Sequence, residues 1–104
     1  MKPMSRAAKG MAKAIEYMNE HGWCKSQLRD LHGRVCLLGA IEGLNYDSRQ
    51  TLIRVVAELF PHRISRRGAQ SYTEFNDHPD TTRTDVNNVM KHALVLLIQE
   101  GQND

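Results

Sequence analysis

Three stretches of this chain place apolar residues at helical spacing. Met4, Ala7, Ala8, Met11, Ala14, Ile15 and Met18 recur at steps of one, three and four, which puts them on one stripe of a helix. Pro3 and Ser5 are start signals and Gly22 is a left-handed stop, so a first helix is expected from about residue 5 to about residue 20. Leu52, Ile53, Val55, Val56, Leu59 and Phe60 predict another, capped at Asp47 or Ser48 and ended by Pro61. Near the C-terminus Val86, Val89, Met90, Ala93, Leu94, Leu97 and Ile98 repeat the pattern. There Thr82-Arg83-Thr84-Asp85 supplies a T-x-x-D cap and Gly101 an expected stop. The run from Val35 to Leu44 differs, being apolar nearly all round. That predicts a short central helix, where Gly39, Ala40 and Gly43 let another backbone come close.

The pattern breaks twice. Trp23 to Cys36 turns at His32-Gly33, which predicts a short hairpin or an irregular loop folded on itself. Trp23 is its expected anchor, with Leu28, Leu31 and Val35 facing inward. From His62 to Thr81 no periodicity survives, and a long polar loop is expected, its second half fastened to the core by Tyr72 and Phe75. The sum is a mainly α chain: one domain over residues 1–104, a bundle of about four helices with a small hairpin-like insertion between helices 1 and 2.

Composition changes this picture little. With 104 residues, 40% hydrophobic and 25% charged, the chain suits one globular domain with its own core. No apolar run reaches the ~18–20 residues of a membrane span. The basic start "MKPMSRAAKGMAKAI" lacks the apolar segment of a secretory signal, so a cytoplasmic, membrane-free location with free thiols is expected. Net charge is +2 and unevenly spread. Residues 1–34 hold seven Lys/Arg against three acids, residues 74–104 two against six. That asymmetry steers a partner or draws the two ends of a bundle together.

Candidate chemistry gathers around the insertion. His21, Cys24, His32 and Cys36 are four zinc-compatible ligands within sixteen residues, but they lack the paired Cys knuckles of structural zinc. Cys36 also leads into the most apolar segment, where a free cysteine is an ordinary core residue. As a nucleophile, Cys36 near a helix start needs a base from His21, His32, His62 or His78 and an orienting group such as Asp77, and no nucleophile motif accompanies it. A Cys24–Cys36 disulfide is disfavoured by the compartment. Asp77 and Asp80 flank Pro79, where turn formation and capping outweigh cation binding. No cofactor is expected.

Arg63, Arg66 and Arg67 form a basic cluster with Tyr72 nearby, suited to phosphates or to an acidic partner surface. Few rings stand by to stack on bases, so a nucleic-acid role ranks behind a protein-binding one.

Gly22-Trp23, Gly33-Arg34, Cys36-Leu37-Leu38-Gly39-Ala40, Phe75-Asn76-Asp77 and Arg83-Thr84-Asp85-Val86 stand in an order and spacing that resembles an uncharacterised domain family of small proteins from actinobacteria and their phages. The likeness covers about residues 7–98. Phe75 stands where the family commonly has Trp, and Cys24 where it commonly lacks cysteine. The resemblance implies a compact domain and a phage origin, and no reaction. Trp23, Gly33, Cys36, Gly39, Phe75, Asn76 and Asp77 are expected to be structural, with Asn76 and Asp77 holding the long loop against the insertion. The function expected is a non-enzymatic interaction module binding a protein, such as a bacterial host protein, through Arg63, Arg66, Arg67 and Tyr72. A Cys/His/Asp enzyme or zinc protein, and a nucleic-acid binder, are the alternatives.

Overall fold

A computed structural model describes residues 3–103; residues 1–2 and 104 of the expected domain lie outside them. Helix α1 spans Arg6–His21. The Ser5 hydroxyl accepts from the Ala8 N–H at 3.2 Å, and Gly22, at φ 92°, closes the helix with its N–H on the Met18 carbonyl. The anticipated stripe is the buried face, from Ala7 to Met18. Helix α2 covers Leu37–Ala40, α3 Tyr46–Leu59, α4 Ala69–Asp77 and α5 Arg83–Asn103, with a 3-10 turn at Pro61–Arg63. The architecture is mainly helical, as the periodicity predicts.

Helix α5 packs against both α1 and α3. One core joins Met11, Ile15 and Met18 to Leu52, Val55 and Val56 and to Val86, Val89 and Met90. The buried Ser48 hydroxyl donates to the Ala7 carbonyl at 2.9 Å, tying the start of α3 to α1. At the start of α5, the Asp85 N–H donates to the Thr82 hydroxyl and the Thr82 N–H to the Asp85 carboxylate. This is the reciprocal cap its sequence predicts.

Five expectations need correction. Residues 62–81 are not a loop, since α4 occupies nearly half of them; Tyr72 and Phe75 are indeed buried, but so are Ser71 and Asn76. That half-polar buried face hides the helical period. The central helix is a single turn, because the Ile41 N–H already closes it on Leu37 and Leu38. Helix α3 is capped by Asn45, whose side-chain oxygen accepts from the Ser48 N–H at 3.0 Å, two or three residues earlier than Asp47 or Ser48 would place it. Gly101 does not stop α5, which continues to Asn103; Gly101 instead lies against Ser5.

The fifth correction concerns the insertion, residues 22–36. It forms no strand among the described residues, only isolated bridges from Val35 to Trp23 and to Arg29. Val35 is buried, but Leu28 is 47% exposed and Leu31 fully so. The reason is local. One Asp30 carboxylate oxygen accepts from the His32 and Arg34 N–H groups, and the other from the Arg34 side chain. Gly33 at φ 81° completes the turn, so Leu31 rides on its outer side.

Gly39 is where the insertion meets the bundle. A methyl group there would press into the Leu28 carbonyl oxygen, which also accepts the Cys36 N–H at 3.2 Å. Alanine gains about 1 kcal/mol of helix propensity over glycine, whereas forcing atoms into a packed backbone contact costs about 1–3 kcal/mol. Gly39→Ala is therefore expected to destabilise, lowering the urea midpoint. An unchanged or raised midpoint would refute the close-contact account.

Candidate functional site

Asn76 lies on α4, fully buried, and uses its whole hydrogen-bonding capacity. Its oxygen accepts from the Trp23 indole N–H at 2.6 Å and from the Leu37 backbone N–H at 2.9 Å. Its amide nitrogen donates to the Cys24 carbonyl at 3.1 Å and to Asp77 Oδ1 at 3.0 Å. One side chain thus joins α4, the start of α2 and the insertion. Next to it, Asp77 Oδ1 accepts the Ser26 N–H at 2.8 Å, holding Ser26 at φ 69°, the one non-glycine residue with positive φ among the described residues. Lys25 completes the seam, donating to the His78 carbonyl at 2.7 Å with its ammonium 5.5 Å from the centre of the Trp23 ring.

Both cysteines belong to this seam as packed groups. The Cys24 thiol faces the carbonyls of Gln27 and Arg34 at 3.5 and 3.4 Å. Cys36 caps α2, its sulfur accepting the Gly39 N–H at 3.3 Å. Burial pushes both thiols up from the ordinary value. Around Cys36, the N–H groups of Gly39 and Leu38 oppose this without reversing it. The histidines once grouped with them lie elsewhere: His21 is exposed and stacks on Tyr17 with ring centres 4.1 Å apart, and His32 is exposed on the turn. Among the described residues no three His, Cys, Asp or Glu side chains gather as a metal site.

The residues expected to meet a partner separate into two kinds. Tyr72 is 2% exposed and its hydroxyl donates to the Arg49 carbonyl at 2.6 Å. Its ring is closed to a partner, which corrects that expectation. Burial raises its hydroxyl pKa to about 12. Arg63 sits 4.4 Å from the centre of the Phe60 ring and donates to Thr81 and, at 2.8 Å, to Asp85. Its guanidinium is committed within the fold. Arg66 and Arg67 are exposed. Their segment is fastened to α4 by Glu74, whose carboxylate accepts from the Ser65 hydroxyl and from the N–H groups of Ser65 and Arg66. Those bonds hold the Glu74 carboxyl below its usual range.

The exposed side of α4 is concave. A groove of ≈ 450 Å³ is lined by Arg66, Gln70, Thr73, Glu74 and Asp77. A second, of ≈ 310 Å³, is lined by Thr73 and Asp77 together with Leu28, Cys36 and Leu38. Thr73 and Asp77 line both, so the two adjoin along a channel-like face of α4, and the insertion bounds only the second. No sequence signal marked it, because its walls come from segments some forty residues apart in the chain.

The family model that matches this chain covers residues 3–94 and is described as a family of unknown function, DUF6197. The chain belongs to that family. The DUF6197 match includes the whole Asn76 seam and every residue of the channel. Comparison with curated proteins gave no match, and comparison with solved structures gave none. No helix among the described residues is long and apolar enough to cross a membrane.

Two outcomes test the seam. Asn76→Ala orphans the Trp23 and Leu37 N–H groups and the Cys24 carbonyl, each worth about 1–3 kcal/mol when left unpaired. A loss of about 3 kcal/mol in urea unfolding is expected, and a loss below about 1 kcal/mol would show the bonds to be incidental. For Asp85, burial alone would raise the carboxyl, but Arg63 and Thr82 outweigh it and hold it below its ordinary value. Its contribution is therefore present above the unfolded pKa of 3.8 and is lost as pH falls through the lower folded value. Arg63→Gln is expected to flatten the stability-versus-pH curve over that acid range. A variant with the same acid slope would refute the pairing.

Proposed function

We propose that this chain is a non-enzymatic protein-interaction module that receives its partner along the exposed side of α4. In keeping with the resemblance to actinobacterial and phage proteins, we take the partner to be a bacterial host protein met in the cytoplasm. The observation that carries this reading is the pair of adjoining grooves on this face, one lined by Arg66, Gln70, Thr73 and Asp77 and the other by Thr73, Asp77 and Leu28. Concave surfaces with a few convergent polar groups on a rigid frame are where binding concentrates. The frame is rigid here because Asn76 and Asp77 fix the insertion to α4.

Covalent chemistry is less well supported by the same geometry. Both thiols are raised by burial, which keeps them in the poorly nucleophilic protonated form. Nucleic acid is also less well supported. Glu74 and Asp77 lie in the channel, and the nearby rings of Tyr72 and Phe75 are buried, leaving neither free for base stacking.

Affinity capture from lysate tests the reading. The wild-type chain is expected to retain a protein that Thr73→Arg, at the waist of the channel, and an Arg66→Glu/Arg67→Glu double variant lose at least roughly tenfold. Both changes are at exposed positions, so melting temperatures should stay unchanged. Capture indifferent to both variants would defeat the assignment of this face. Capture abolished by nuclease would transfer it to nucleic acid.

A further inference from the structure

Of the two grooves on this face, the one bounded by the insertion has the simpler chemistry. Leu28, Leu38 and Cys36 give it apolar walls, and Ser26, Gln27 and Thr73 add two hydroxyls and an amide. Asp77 is the one charged side chain that lines it. A groove of ≈ 310 Å³ that is neutral except for a single carboxylate favours a cation over an anion or a wholly apolar group.

That carboxylate is only half occupied. Oδ1 accepts from the Ser26 N–H and from the Asn76 amide, bonds that orient the group without cancelling its charge. Oδ2 takes neither, and Asp77 forms no ion pair among the described residues. The backbone adds to the same sign. Asp77 is the last residue of α4, and the C-terminal end of a helix dipole favours cations. The chain's own cations on this side are engaged elsewhere. The Lys25 ammonium sits on the His78 carbonyl at 2.7 Å and 5.5 Å from the centre of the Trp23 ring, and Lys25 does not line the groove. Arg66 lines only the neighbouring groove, where Glu74 stands with it.

The open oxygen also discriminates between cations. A guanidinium grips a carboxylate best as a fork, one N–H group on each oxygen. With two donors already on Oδ1, a single oxygen is left, which suits the point charge of an ammonium. Lysine carries that charge on a four-carbon stem, and such a stem covers apolar surface while its head stays among polar groups. Leu28, 47% exposed, and partly buried Leu38 are the surface available to it.

Building on the docking role given to this face, we propose that the groove between α4 and the insertion takes a lysine side chain of the partner protein. Its stem lies against Leu28 and Leu38, and its ammonium donates to Asp77 Oδ2 beside the Thr73 and Ser26 hydroxyls.

Titration of the isotope-labelled full chain with N-acetyl-lysine methylamide, followed through its amide NMR signals, tests this. Saturable shifts are expected at Ser26, Leu28, Leu38, Thr73 and Asp77, with a Kd on the order of millimolar. The norleucine derivative, a stem without the ammonium, is expected to bind at least roughly tenfold more weakly, and the arginine derivative at least roughly threefold. Asp77→Asn keeps an oxygen for Ser26 but loses the charge, and is expected to weaken the lysine derivative roughly tenfold. Leu28→Lys puts the chain's own ammonium at this half-exposed position and is expected to weaken it as much. Unshifted Trp23 emission verifies that the seam survives in each variant; should Asp77→Asn disturb it, Leu28→Lys and the norleucine derivative decide. Absence of saturable shifts at these amides up to roughly 20 mM, equal binding of the norleucine or arginine derivative, or unchanged binding to Leu28→Lys would overturn the proposal. If lysate capture depends on the α4 face while the lysine derivative fails, the lysine assignment is wrong and the docking role stands. If capture fails too, both fall.

Discussion

A single amide holds this fold's unusual part in place. Asn76 is buried on α4 with four partners drawn from three separate segments, Trp23 and Cys24 of the insertion, Leu37 of α2, and its own neighbour Asp77. A buried amide with even one unmet group is costly, and with all four met it specifies one arrangement. The bundle of α1, α3 and α5 has its own apolar core and follows ordinary packing. The insertion has no ladder of strands and leaves two leucines in solvent, so polar seams, not apolar burial alone, must fix it. Gly39 contributes by letting the Leu28 carbonyl come close, and Asp77 by taking the Ser26 N–H.

How much of this was legible follows from the kind of force involved. Helices α1 and α5 are long and periodic, with caps at Ser5 and Thr82–Asp85, and their stripes from Ala7 to Met18 and from Val86 to Leu97 are the buried faces. Apolar burial writes itself into spacing. Helix α4 did not, because half of its buried face is Ser71 and Asn76 and because nine residues are too few to show a period. Leu31 misled for the opposite reason. Its hydropathy argued for the interior, but the Asp30 carboxylate builds a turn that carries it outward. Polar geometry overrode apolar preference at both places.

The candidate surface divides along the same line. The cluster of arginines was visible as composition, and Arg66 and Arg67 are indeed on the surface. Which of its members were occupied was not visible. Arg63 is held by Asp85 as well as Phe60 and Tyr72 is buried on the inner face of α4 with its hydroxyl on Arg49, and Asp85 and Arg49 are both far off in sequence. The groove lined by Leu28 and Leu38 arises only when the insertion is laid beside α4. Family membership adds no activity to this account, so the weight rests on the shape and chemistry of that face.

Trp23 is the one tryptophan in the chain, and its indole N–H is bound to Asn76 while Lys25 lies over its ring. An indole senses the polarity and charge around it, so the emission of this protein is a local optical signal, not an average over the molecule. Nature has placed a probe at the one junction where insertion, α2 and α4 meet. Any loosening of that junction changes the light emitted, even when the helices of the bundle stay folded.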